Sequence, residues 1–181
     1  MKTFRTIVIL KRPHVQLWTT MRDHLPEVAS RLPEIESVTE TERIVGEDGK
    51  THIVNEWLAR YPIPAGLSSF IKRGELGWTD RNSWDDGAQV CAWAIFPYLF
   101  TEYIHCEGRT VFEPAMAGQG ARITLEGKLE LKAGFLGIAT AAEKLAVPFL
   151  EAVVTSAIPR SLRATLEAAA AFEQAPARSA E

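Results

Sequence analysis

The sequence predicts an α+β fold in which a curved antiparallel sheet closes around one long C-terminal helix. Three observations carry that prediction. A β-branched stretch opens the chain and leads through Lys11-Arg12-Pro13 into an amphipathic helix bearing Trp18. Glycine-containing turns then punctuate an unbroken series of strand-forming stretches, and one alanine-rich helical segment ends the chain. A sheet wrapped around a single helix leaves a gap that side chains or a ligand must fill.

Residues 3–11 are rich in β-branched side chains and stop at Pro13, which suits a first strand followed by a helix start. Val15, Trp18 and Met21 recur at steps of three, the spacing of an apolar helix stripe over residues 14–22. Pro26 opens a second short helix over residues 27–31, and Pro33 ends it. Three turns follow: Asp48-Gly49 between residues 35–46 and 50–60, Asp86-Gly87 between 75–84 and 88–96, and Ala117-Gly118-Gln119-Gly120 between 104–114 and 121–132. Asp-Gly between β-rich runs is a strong hairpin signal, because both central residues of the tight turn need positive φ. Six antiparallel strands result, and the first strand makes seven. Pro62, Pro64 and Gly66 mark a loop, with one helical turn over residues 68–72. In the tail, Leu150, Val154, Ile158, Leu162, Leu166, Ala169 and Phe172 form one stripe, which Pro148 and Pro159 kink or divide.

The chain of 181 residues suits one domain, read here as residues 1–175 with a frayed tail at 176–181. An apolar fraction of 46% with 24% charged residues argues against disorder, and a net charge of −3 gives no electrostatic footprint for nucleic acid. Cys91 and Cys106 are too sparse for a secreted disulfide framework. Residues 1–10 carry Lys2 and Arg5 without a small-residue cleavage site, so they read as a strand and not a signal peptide. The apolar stretch 133–158 is broken by Glu143, Lys144 and Glu151, short of the ~18 uninterrupted apolar residues of a membrane span. The expectation is a cytoplasmic protein with no nucleic-acid partner and no stable membrane insertion.

Counting back from two-residue turns assigns the faces of the sheet. Around Gly118-Gln119, Phe112 would oppose Leu125, Thr110 Gly127, Gly108 Leu129 and Cys106 Leu131. The other face would pair Val111 with Glu126, Arg109 with Lys128 and His105 with Lys132, and would be wet. Around Asp86-Gly87, Trp84 would oppose Gln89, Asn82 Cys91, Asp80 Trp93 and Trp78 Ile95. Around Asp48-Gly49, Ile44, Ile53, Asn55 and Trp57 would share a face. Exposed tryptophans in such number would form an apolar patch that monomers avoid, so they belong on the concave side. The candidate ligand-binding set is therefore Asn55, Trp57, Trp78, Asp80, Asn82, Trp84, Cys91, Trp93, Ile95, Cys106, Thr110, Phe112, Ile123 and Leu125. Gly108 and Gly127 would leave room on the same face. Any one of these tryptophans alone is equally well explained as core packing. The set is harder to explain that way, because Asp80, Asn82 and Asn55 share the surface and a dry core disfavours them.

Metal and nucleophile motifs are missing. His14, His24, His52 and His105 make no HExxH or CxxC-type spacing, so no metal is expected, and no cofactor motif occurs. His105 and Cys106 are adjacent on a strand and diverge to opposite faces. His52 and Glu56 share a face but stand roughly 13 Å apart. Gly118-Gln119-Gly120 opens no helix and reads as a turn, not a phosphate loop. Lys11-Arg12 and Lys72-Arg73 read as solvated loop ends, with a minor alternative of contact with anionic head groups.

The opening strand into Lys11-Arg12-Pro13, the helix carrying Val15 and Trp18, and Asp23 with Leu32-Pro33-Glu34-Ile35 resemble the start of START-like (SRPBCC) proteins, the group of polyketide cyclase/dehydrase and birch-pollen-allergen families. The six-strand meander and the Ile158-Pro159-Arg160-Ser161-Leu162 helix extend the resemblance over the whole chain. It implies a helix-grip fold: seven antiparallel strands around a long C-terminal helix, with two short helices after the first strand. It also implies binding of a hydrophobic small molecule between sheet and helix, and in a minority of members cyclisation or dehydration. The two tail prolines depart from a single straight helix. Binding or carriage of a lipid-like or aromatic molecule is the leading expectation. A cyclase- or aromatase-like enzyme with Asp80 as base, oriented by Asn55, Asn82 or Thr110, is the alternative. An interaction module with a filled interior is the third reading.

Overall fold

The computed structural model describes residues 1–60, 76–98, 101–132 and 158–172. Its elements are β1 (Lys2–Leu10), α1 (His14–Asp23), α2 (Leu25–Ala29), β2 (Ile35–Val45), β3 (Thr51–Ala59), β4 (Gly77–Asp85), β5 (Val90–Pro97), β6 (Ile104–Ala115), β7 (Gly120–Leu131) and the C-terminal helix α3 (Ile158–Ala170). The seven strands form one antiparallel, curved sheet in the order β1-β7-β6-β5-β4-β3-β2. Since β1 and β2 are the two edges, α1 and α2 carry the chain across one face, touching β6, β7 and β2 on the way. The loop at Pro62, Pro64 and Gly66, the turn at 68–72, Lys72-Arg73, Pro148, Leu150, Val154 and the tail beyond 175 lie outside the described residues.

All three hairpins exist, yet none has a two-residue turn. The β4–β5 loop holds residues 86–89, because Asp85 pairs with Val90. Asp85 Oδ1 takes the Ala88 N–H at 2.9 Å, and Gln89 adopts φ 53°. The β6–β7 loop holds residues 116–119, with Met116, Ala117 and Gly118 all at positive φ. Both corrections slide the register by two, so every side chain keeps its face. The observed partners are Phe112–Ile123, Thr110–Leu125, Gly108–Gly127 and Cys106–Leu129, then Trp84–Cys91, Asn82–Trp93, Asp80–Ile95 and Trp78–Pro97. On the outer face Arg109 meets Glu126 and His105 meets Glu130, a better charge match than the expected lysine partners.

The β2–β3 loop is different. Val45 pairs with Thr51, leaving five residues, and Asp48 Oδ1 accepts the Lys50 N–H at 3.1 Å to fold the loop on itself. This odd shift turns Ile44 outward at 53% exposure, against the expectation that it joins Ile53. The bulge between Glu40 and Glu42 then places Val38 opposite Trp57, and a second between Ile35 and Ser37 sets Ile35 opposite Ala59.

The inner face is sealed at one end by the helices. Helix α1 buries Leu17, Trp18, Thr20 and Met21, while Val15 lies in the first turn at 51% exposure, off the expected stripe. Trp18 meets Trp84 edge-on at 4.9 Å and Phe112 at 5.3 Å. Its indole N–H donates to Asp86 at 2.7 Å, which ties α1 to the β4–β5 loop. Leu166 and Ala169 of α3, and Phe172 just beyond it, enter the same core.

Arg12 is not a solvated loop end. Its guanidinium donates to the carbonyls of Ala170 (2.7 Å) and Phe172 (3.2 Å), filling acceptors that the end of α3 leaves open. Phe172 is then held between the His24 ring at 5.4 Å and the Arg31 guanidinium at 4.9 Å. Arg12→Ala is expected to cost on the order of 1–2 kcal/mol in urea unfolding, and Arg12→Lys to recover only part, since an ammonium cannot span both carbonyls.

Candidate functional site

The site grows from one carboxylate. Asp80 sits in the middle of β4 on the inner face, between Asn55 of β3 and Ile95 of β5. Its Oδ1 accepts from Asn55 Nδ2 (2.9 Å) and Asn82 Nδ2 (2.7 Å), and its Oδ2 from the Trp57 indole N–H (2.7 Å). Strand geometry makes this possible: Asn55 and Trp57 are alternate residues on β3, Asp80 and Asn82 on β4, so all four project to one side. The network continues to Cys91, whose thiol lies 3.7 Å from Asn82 Oδ1. Trp78 stacks on Trp57 with ring centroids 5.4 Å apart and planes 13° from parallel.

The electrostatics follow from burial. The Asp80 carboxyl is raised to about 6, because desolvation outweighs the donors from Asn55, Trp57 and Asn82 that favour its anion. Burial likewise pushes the Cys91 thiol well up, with the Asp80 charge adding to it, and the Cys106 thiol to about 12. Neither thiol is a ready nucleophile. Among the described residues two buried polar atoms have no partner: Asn55 Oδ1 and Trp84 Nε1. Among the described residues no three of His, Cys, Asp and Glu converge on one point.

The remaining candidate residues divide between two regions of the inner face. Trp84, Phe112 and Ile123 belong to the core sealed by Trp18, and Leu125 is buried beside Thr110. Cys106 belongs to a second buried cluster with Ile104 and Leu129, against which Ile95, Phe4, Trp93 and Leu131 pack half-buried. Trp93 donates its indole N–H to Thr110 Oγ1 at 3.2 Å and stacks on Phe4 at 6.2 Å. Phe4 was missed in the sequence reading; the alternation Phe4, Thr6, Val8, Leu10 in β1 was the available signal.

Gly108 and Gly127 do not leave open room. A Cβ on Gly108 would lie 2.5 Å from Trp93 Cζ2 and 2.1 Å from the Glu126 carbonyl oxygen; one on Gly127 would lie 2.4 Å from Phe4 Cζ and 2.7 Å from Trp93 Cη2. The paired glycines are the seat of the Trp93 and Phe4 rings.

No protein-family model and no curated protein matches this sequence. Solved structures do match. The Zhui aromatase/cyclase from Streptomyces sp. R1128 superposes with a TM-score of 0.66 at 21% identity over 93% of each chain. TTHA0849 from Thermus thermophilus gives 0.66 at 19% identity, covering 96% of this chain and all of that one. Norcoclaurine synthase from Thalictrum flavum gives 0.55 at 15% identity over 94% of this chain and 84% of its own. The chain has the helix-grip fold of these structures. In that helix-grip frame the Asp80 network lies on the face turned toward α1, α2 and α3.

This geometry makes two outcomes measurable. Gly127→Ala must displace Trp93 or Phe4 and should destabilise by about 1–3 kcal/mol in denaturant unfolding, with a changed tryptophan emission. For Asp80, the folded carboxyl binds protons more tightly than the unfolded one at 3.8, so the folded state loses stability as pH rises between about 4 and 6. The stability of Asp80→Asn relative to wild type should therefore climb across that window, by on the order of 3 kcal/mol at most, and level off above it. A pH-independent difference would exclude the raised carboxyl.

Proposed function

We propose that the protein binds a hydrophobic, lipid-like or aromatic small molecule between the sheet and the C-terminal helical segment. One observation carries the reading: a buried carboxylate, satisfied among the described residues only by neutral donors, sits on an inner face lined by Trp57, Trp78, Trp93, Ile95 and Phe4, of which the last four are only half covered. Apolar walls supply affinity and sparse polar groups supply orientation. The unpartnered Asn55 Oδ1 gives a ligand hydroxyl or N–H an acceptor beside Asp80. The helix-grip frame shared with the Zhui aromatase/cyclase and norcoclaurine synthase supports a pocket at this place.

A second reading, a polyketide cyclase- or aromatase-like enzyme, is favoured by the Asp80 carboxyl itself. A group raised to about 6 is matched to proton abstraction near neutral pH. It ranks below binding because no acid–base partner converges on Asp80 among the described residues.

Native mass spectrometry of the protein purified from its own host should show a co-purified apolar adduct. Titration with the neutral fluorophore N-phenylnaphthylamine should give saturable binding that Trp93→Ala weakens about tenfold, the worth of one aromatic contact. No adduct and no saturable probe binding would reject the pocket. Binding retained in Asp80→Asn together with abolished turnover of a polyketide-like substrate would establish the enzyme.

A further inference from the structure

The outer face of β4, β5, β6, β7 and β1 carries a depression of about 1000 Å³. Its form follows from the register. Ser83, Ala92, Arg109, Glu126 and Arg5 are paired in a row across the five strands, and Arg81, Ala94, Glu107, Lys128 and Thr3 make a second row two residues away. Between them runs the backbone of Trp93, Gly108, Gly127 and Phe4, whose rings turn inward. The rows are walls, and the backbone is the floor of a groove perpendicular to the strands.

The charges on the walls alternate. Arg81 of β4 is on the second row, Arg109 of β6 on the first, Lys128 of β7 on the second and Arg5 of β1 on the first. Glu126 is shared by Arg109 at 2.9 Å and Arg5 at 3.2 Å, and Glu107 by Lys128 at 2.7 Å and His105 at 2.9 Å. Arg81 lies over the Phe96 ring at 5.1 Å and pairs with no carboxylate among the described residues. Four cations against two carboxylates leave a positive surplus, on a chain whose net charge is −3. Both paired arginines keep spare N–H donors.

We infer that this groove binds an extended acidic peptide segment of a partner protein, laid across the strands. Dimensions select the conformation. Four inter-strand spacings give a length of about 19 Å, which about six extended residues span, and the walls stand about 7 Å apart at their Cα atoms. An α-helix, about 10 Å wide, does not enter. Successive side chains of an extended chain point to alternate sides, as the cations do. Single-stranded nucleic acid would want aromatic platforms, and Trp93 and Phe4 face the other way. A flat bilayer does not reach the floor of a groove.

The test is fluorescence anisotropy of fluorescein-labelled octaglutamate, extended by its own repulsion at neutral pH, against the full chain. Saturable binding is expected, weakened about tenfold or more in the double variant Arg81→Glu with Arg109→Glu and several-fold by raising salt from low to moderate strength. Circular dichroism and N-phenylnaphthylamine titration of the same variant should match wild type, so loss of the groove is read separately from loss of the interior pocket. Absent peptide binding, equal binding by the double variant, or tighter binding of octathymidylate or phosphatidylserine vesicles would overturn the inference.

Discussion

The inner face is organised by the need to satisfy one carboxylate without a counter-charge. Asp80 is removed from water, and among the described residues no cation accompanies it. Such a group is tolerated only when donors surround it. That requirement fixes Asn55, Trp57 and Asn82 in orientation, and through Asn82 it reaches Cys91. The indole of Trp57, held by its N–H, in turn gives Trp78 a surface to stack on. Three central strands are thus joined by side chains as well as by their backbone ladder, and polar and aromatic elements of the site cannot move independently.

How much of this was legible in the sequence depended on parity. The hairpins were announced by Asp48-Gly49, Asp86-Gly87 and Gly118, and the strands fall within two residues or so of where β-rich composition put them. Loop length was not legible. It depends on side-chain caps such as Asp85 on Ala88, and on residues such as Gln89, Met116 and Ala117 that adopt positive φ without being glycine. For β4 to β7 the error was two residues, so the partners were wrong and the faces right. At β2 the error was odd, and Ile44 went to solvent. Arg12 was misread for another reason: its partners lie 158 and 160 residues away.

The glycines show the same limit. A missing side chain on an inner face reads as space, but Gly108 and Gly127 are directly opposed, and Trp93 of the next strand lies across both. The glycines allow the indole to lie flat, where it meets Phe4 and reaches Thr110. The same pair leaves the outer side floored by bare backbone. One local choice therefore shapes both sides of the sheet: an aromatic wall within and a charged groove without.

The energetic balance at Asp80 bears on what the inner face is for. An apolar residue at this position would avoid the desolvation that lifts the carboxyl to about 6, and cores commonly gain stability when buried charges are replaced by packed hydrophobes. Folding alone gives no reason to place an acid here, together with two amides and an indole N–H to hold it. The sealed end of the same face, around Trp18, Phe112 and Leu166, is built from apolar side chains with few polar atoms. Polar groups are concentrated where Trp78, Trp93 and Ile95 are only half covered. A stability cost confined to the less covered half of one face supports the proposed reading of that half as a ligand-binding surface.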